Sequence, residues 1–217
     1  MRFGVVTDVQ NRTLLETLGF DYLECCVTAI AGMDDAAFAA LAEENDTAAV
    51  KIEAACVLLP GSIRVTGAEV DPEAQAAYLE RAFARLERLG VGPVVFGSGG
   101  ARRVPDGFDR AEAWHQLIQF GRLAAEKAVQ HGLTIVLEPL RKEETNIINT
   151  QMQGLRLMQD IERPGFDILS DFYHLSLAGE GRAEVAACGK RLKHTHIANP
   201  DGRVAMKHSD AADYDAF

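Results

Sequence analysis

The chain has 217 residues, 47% hydrophobic and 25% charged, enough apolar material for one sizeable core. Its formal net charge of −10 repels phosphate backbones and argues against a general nucleic-acid binder. No apolar run approaches the roughly 20 residues that cross a bilayer, and the opening MRFGVVTDVQ lacks the apolar core of a signal peptide, so a cytoplasmic protein with no membrane partner is expected.

In chain order, RFGVV reads as a first strand leading to Asp8. TLLETL then reads as a helix closed by Gly19, and FDYLECC as strand two, carrying Glu24. EENDTAAVKIEAACVLL takes a helix into strand three, with Asn45 or Asp46 ending the helix and Glu53 inside the strand. Asp71-Pro72 is an N-cap followed by proline at the first helical position, opening a helix with Leu79, Phe83 and Leu86 on one face. Gly90 ends it, and VGPVVFG is strand four, running into Gly97-Ser98-Gly99-Gly100. Asp109 and Thr150 are weaker caps for the helices holding Trp114–Leu117 and Leu155–Met158. Between and after those helices, Gly132 leads into LTIVLE, Gly165 into FDILSD and Gly189 into KRLKHTHI, strands five to seven. A glycine just past a helix takes the left-handed conformation that turns the chain into the next strand.

Seven strands alternating with six or more helices, without hairpin signals, imply parallel strands joined by helical crossovers. An open Rossmann sheet should carry GxGxxG after its first strand, where this chain reads TDVQNRT. The expected fold is therefore an α/β (β/α)₈ TIM barrel, with residues 1–217 as a single domain. A barrel has eight strands in about 250 residues. HSDAADYDAF reads like the start of a helix, so the eighth strand is expected in a longer protein, of which 1–217 would be a truncated form.

Barrel chemistry sits at the carboxyl ends of the strands, and these ends carry Glu138, Asp171 and His196 on strands five, six and seven. Carboxylates converging on one mouth repel or lose solvation unless a cation neutralises them. Two carboxylates and an imidazole suit a hard or borderline divalent ion such as Mn²⁺, Mg²⁺ or Co²⁺. The bland alternative is that they cap helices or pair with Arg141 or Lys142. Asp171, His174 and one histidine of the HTH run could also form a two-His-one-carboxylate iron site, which leaves Glu138 unexplained. The GSGG loop with Arg102 and Arg103 could cradle a phosphate, and Asp8, Glu24 and Glu53 are further pocket candidates. Cys25, Cys26, Cys56 and Cys188 form no CxxC pair and read as reduced core residues.

EPLRKEETNIINT, SDFYHL and KHTHIANPDGR resemble the xylose-isomerase-like sugar isomerases and epimerases, the group containing D-tagatose 3-epimerase and hydroxypyruvate isomerase. FDYLE, EAACVLLPGSIRVTG and FGSGGARRVPDGF agree, and the resemblance runs from residue 1 to about residue 205. It implies a TIM barrel with one divalent ion held by Glu138, Asp171 and His196, Mn²⁺ first, with Mg²⁺, Co²⁺ or Zn²⁺ as alternatives. It also implies that Glu138 is the catalytic base and that Glu144, His174 and Arg203 contact the substrate. The activity implied is isomerisation or epimerisation of a ketose, sugar phosphate or small hydroxy-carbonyl compound, with a homo-oligomer left open. Two departures stand out: Arg141 replaces the family's usual asparagine, and the family's fourth ligand ends an eighth strand. Arg203 also follows His196 by one residue more than the pattern. His194, one layer deeper than His196, is expected to be a hydrogen-bonded interior residue. An endonuclease IV-like phosphodiesterase and a non-catalytic sugar-binding protein are the competing classes; the acidic charge and single-metal ligand count oppose the former.

Overall fold

The computed structural model describes residues 1–214 and 217. Its strands are β1 (Gly4–Val6), β2 (Tyr22–Cys26), β3 (Lys51–Cys56), β4 (Pro93–Phe96), β5 (Thr134–Leu137), β6 (Phe166–Asp171) and β7 (Leu192–His196). They pair in sequence order, every pair parallel. The helices are α1 (Arg12–Leu18), α2 (Val27–Gly32), α3 (Asp35–Thr47), α4 (Pro72–Leu89), α5 (Gly99–Arg102), α6 (Arg110–Gln130), α7 (Gln151–Ile161), α8 (Phe172–Ala178) and α9 (Arg182–Cys188). Among the described residues no helix is long and apolar enough to cross a membrane.

The sheet is curled into a TIM-barrel-like wall. In a flat sheet β2 and β7 would lie five steps of about 4.8 Å apart, roughly 24 Å. Instead Glu24 Oε1 of β2 meets His196 Nε2 of β7 at 2.9 Å, across the concave side. Leu23, Ile52, Val94, Ile135, Leu137 and Ile168 face outward into the main core against the helices. Cys56, Val95, Val136 and Leu169, with Cys26 beside them, make a smaller cluster on the inner side. Strand alternation then puts Glu24, Glu138 and Asp171 on the inner side as well.

The local signals act as expected at most junctions. Asp71 accepts hydrogen bonds from the Glu73 and Ala74 backbone N–H groups, and Asp109 and Thr150 cap α6 and α7. Gly19 and Gly90, both at φ 78°, close α1 and α4. The junction before β3 differs. Helix α3 runs through Asn45 and Asp46 to Thr47, and Asn45 is buried. Its side chain donates to the Leu89 carbonyl at 3.0 Å and accepts from the Ile52 N–H at 2.9 Å. Asn45 ties a helix to a strand and a second helix instead of turning the chain.

Two strands carry an extra residue. Leu23 pairs with Ile52 but Glu24 pairs with Ala54, leaving Glu53 as the insertion. Ile168 pairs with Leu192 but Leu169 pairs with His194, leaving Lys193 as the insertion. The second bulge keeps Leu192 against the outer core while His194 and His196 turn to the inner side, with His196 beside Asp171. At the chain's end, residues 208–213 form turns and bends; Asp215 and Ala216, in the expected helix start, lie outside the described residues. Tyr214 and Phe217 pack on Phe172, with ring centroids 5.1 and 5.3 Å away.

Candidate active site

Glu138 follows β5 directly, and three features place it. Its N–H donates to the Phe96 carbonyl at 3.2 Å, continuing the ladder with β4. Its own carbonyl accepts from Arg102 Nη2 at 2.7 Å. Its carboxylate lies over Gly97, where an added Cβ would come within 2.4 Å of Oε2. The glycine is there because any side chain would occupy the carboxylate's position. Gly99 similarly leaves room for the Glu144 carbonyl, at 2.7 Å from where a Cβ would be. The GSGG loop therefore makes space for the segment after β5. Arg102, expected in a phosphate cradle, is fully buried and bonds the carbonyls of Phe96 and Glu138.

Asp171 ends β6 and caps α8, its Oδ1 accepting the Tyr173 N–H at 2.8 Å. His174, in the first turn of α8, accepts the Arg141 backbone N–H on Nδ1 at 3.2 Å. One ligand-capable atom from each of Glu138, Asp171 and His174 lies within 4.8 Å of the others, and all three residues are buried. His196 stands next to this group, Nδ1 being 3.3 Å from Glu138 Oε1. Its Nε2 points the other way, into a second group of Glu24, His194 and His196. There His194 Nε2 lies 2.9 Å from Glu24 Oε2.

The electrostatics follow from burial and neighbours. Burial, and then the Glu138 carboxylate, push Asp171 above the ordinary aspartate range. Burial lowers His174, favouring the neutral ring that a nitrogen acceptor at Nδ1 requires. Burial would lower His196 too, but its bonds to Glu138 and Glu24 carry it well above the usual value. Burial would raise Glu24, yet the bonds from His194 and His196 outweigh it and hold the carboxyl at about 2.

A pocket of two buried carboxylates with imidazoles beside them fits a divalent cation. Burial first and the Glu138 charge second disfavour the Asp171 carboxylate, and a cation in the pocket would offset both.

The remaining expected residues rim this group. Glu144 Oε1 accepts from Arg141 Nε at 2.9 Å and from Arg203 Nη1 at 3.4 Å. Arg203 Nη2 is 3.6 Å from Asp171 Oδ2, so its longer offset from His196 still brings it to the mouth. Both guanidiniums lie over the Tyr173 ring, 5.5 and 4.8 Å from its centroid. Tyr173 was absent from the expected site, and Arg102 was expected in another role; a short helix has too few turns to show its buried face in sequence. Glu53 is not at the mouth: it pairs with Arg2 beside the start of β1.

The fit of Gly97 around Glu138 makes a sharp expectation. Gly97→Ala should displace the Glu138 carboxylate and, if that group has the catalytic role expected from the sequence, lower turnover by about 10–100-fold. Gly100→Ala, where an added Cβ meets nothing within 4 Å, should leave turnover near the starting value. Steady-state kinetics on the two variants checks this, and equal activities would contradict it.

A family model described as xylose isomerase-like TIM barrel matches residues 13–216. L-ribulose 3-epimerase of Methylomonas sp. (strain DH-1) is 38% identical over 74 residues, 34% of this chain and 26% of the relative. A probable ketose 3-epimerase of Synechocystis sp. is 27% identical over 131 residues, 56% of this chain and 43% of the relative. The matches thus span less than half the length of these relatives. D-psicose 3-epimerase from Clostridium cellulolyticum H10, solved with D-tagatose, superimposes with a TM-score of 0.80 at 18% identity, over 94% of this chain and 76% of that one. At that identity the likeness concerns the fold.

Proposed function

The chain belongs to the xylose isomerase-like TIM barrel family, and from that premise we propose that it is a divalent-metal-dependent isomerase or epimerase of a ketose, a sugar phosphate or a small hydroxy-carbonyl compound. The observation that carries this reading is the convergence of Glu138, Asp171 and His174 at the strand ends, with His196 against Glu138.

The contacts of the two histidines divide the roles. His174 lies between two donors, the Arg141 backbone N–H at 3.2 Å from Nδ1 and Arg203 Nη2 at 3.3 Å from Nε2, which places its ring in the polar rim that suits substrate binding. His196 Nε2 is directed at Glu24, and Nδ1 is the nitrogen on the Glu138 side, the one that would ligate an ion in exchange for the hydrogen it shares with Glu138. Glu138, Asp171 and His196 are therefore the proposed ligands, with Mn²⁺ the first ion to test. When bound, that ion supplies Lewis-acid stabilisation of the negative charge developing on the substrate oxygens.

Glu138 takes the proton from the carbon beside the carbonyl, its carboxylate aimed by Gly97 and its backbone held by Arg102. His174 Nε2, Arg203 and Glu144 bind and orient the substrate hydroxyls. Arg141, in the place of the family's asparagine, draws Glu144 to one side of the mouth through its 2.9 Å bond. Return of the proton to the opposite face is the role the resemblance gives to a second glutamate.

Incubation of the Mn²⁺-loaded protein in deuterated water with a panel of ketoses, sugar phosphates and hydroxy acids tests the reading. Deuterium should enter the carbon next to the carbonyl of at least one of them, followed by mass spectrometry and proton NMR. A loaded protein that exchanges with none of the panel would overturn it.

A further inference from the structure

We infer that Glu24 is a positioning residue for the proposed metal site: it accepts the Nε2–H of His196, so that the ring presents Nδ1 to Glu138 and Asp171. The inference rests on the metal reading above and extends it to a strand on the far side of the wall.

Three observations carry it. Glu24 is 2% exposed, and each of its oxygens is 2.9 Å from an imidazole Nε2, His196 on Oε1 and His194 on Oε2. These are hydrogen-bond lengths, and a carboxylate can only accept, so both nitrogens must carry hydrogen. The opposite edge of the His196 ring is the one at 3.3 Å from Glu138. Glu138 is itself a proposed ligand, so an ion bound there would replace the hydrogen it shares with Nδ1, while the Glu24 carboxylate keeps the hydrogen on Nε2 and fixes the plane of the ring.

His194 completes the arrangement. It occupies the second oxygen of Glu24 and packs edge-on against His196, ring centroids 5.2 Å apart. With both oxygens engaged, Glu24 cannot rotate away from His196 without also breaking its hydrogen bond from His194. The HTH run is thus two histidines with different tasks, one directed at the site and one holding its support.

Glu24→Gln is the discriminating change. It keeps the shape but puts an amide NH₂ opposite one of the two Nε2–H groups, which forces a ring to change tautomer or turn. Apo protein should be titrated with Mn²⁺ by calorimetry for wild type, Glu24→Gln and Glu138→Gln. The expected result is one Mn²⁺ per wild-type chain and a loss of about 10–100-fold in affinity in Glu24→Gln.

A second measurement does not depend on that variant folding. Nitrogen-15 NMR of Mg²⁺-loaded wild type, assigned with His194→Asn, should show His196 carrying hydrogen on Nε2. Hydrogen on Nδ1 instead would overturn the inference. So would wild-type affinity in Glu24→Gln alongside a loss in Glu138→Gln, an outcome that leaves the functional reading intact. Two ions per chain, the second lost in Glu24→Gln, would make the Glu24 group a metal site and also overturn the positioning role. No Mn²⁺ binding by wild type would remove both the inference and the metal reading beneath it.

Discussion

Glu138→Gln should lower kcat by about 10²–10⁴-fold, the range spanned by a positioned general base. The change is nearly isosteric, so the carboxamide still fits over Gly97 and the Arg102 bond to the Glu138 carbonyl is untouched. What disappears is the negative charge and the capacity to take a proton. Two further readouts identify the cause. Mn²⁺ affinity should fall, because one proposed ligand has lost its charge. Deuterium exchange into substrate should fall with turnover, because both begin with the same proton transfer. Retained exchange with lost turnover would place the base elsewhere.

Arg102→Ala should be the most damaging single change to stability near the site, at about 3 kcal/mol. The guanidinium is fully buried and bonds the carbonyls of Phe96 and Glu138, joining the ends of β4 and β5. Leaving those two acceptors unpaired costs about 1–3 kcal/mol each, and the vacated volume adds to it. Part is offset, because burial already lowers Arg102 to about 10 and its Nε has no partner. For a chain of this size a net 3 kcal/mol corresponds to a fall in Tm of roughly 6–12 °C. Thermal denaturation followed by circular dichroism measures it. An unchanged Tm would mean that water replaces the guanidinium without loss.

The parts of this molecule that were legible in sequence are those set by neighbours along the chain. Asp71-Pro72 opens α4 and Gly90 closes it because capping and left-handed turns need only a few adjacent residues. Glu138, Asp171 and His196 stood out because each interrupts an apolar strand at its carboxyl end. Asn45 was misread because its turn-forming chemistry is also suited to bridging buried backbone groups. Only the packing of α3 on β3 and α4 decides between those uses. The division between His174 and His196 came with the resemblance, but the contacts beneath it were not legible. Which nitrogen faces which partner depends on Arg141 and Glu24, residues 33 and 172 positions away in the chain.

The bulge at Lys193 gives one short strand two audiences. In an unbroken strand Leu192 and His194 would share a face, and either the helical shell would meet an imidazole or the interior would meet a leucine. The extra residue resets the phase of the strand halfway along. Its lower part is addressed to the shell, where burial of carbon governs, and its upper part to the chemistry of the mouth. The two halves are therefore free to change under separate demands: a substitution at Leu192 is answered by the packing of helices, and one at His194, two positions on, by the hydrogen bond to Glu24.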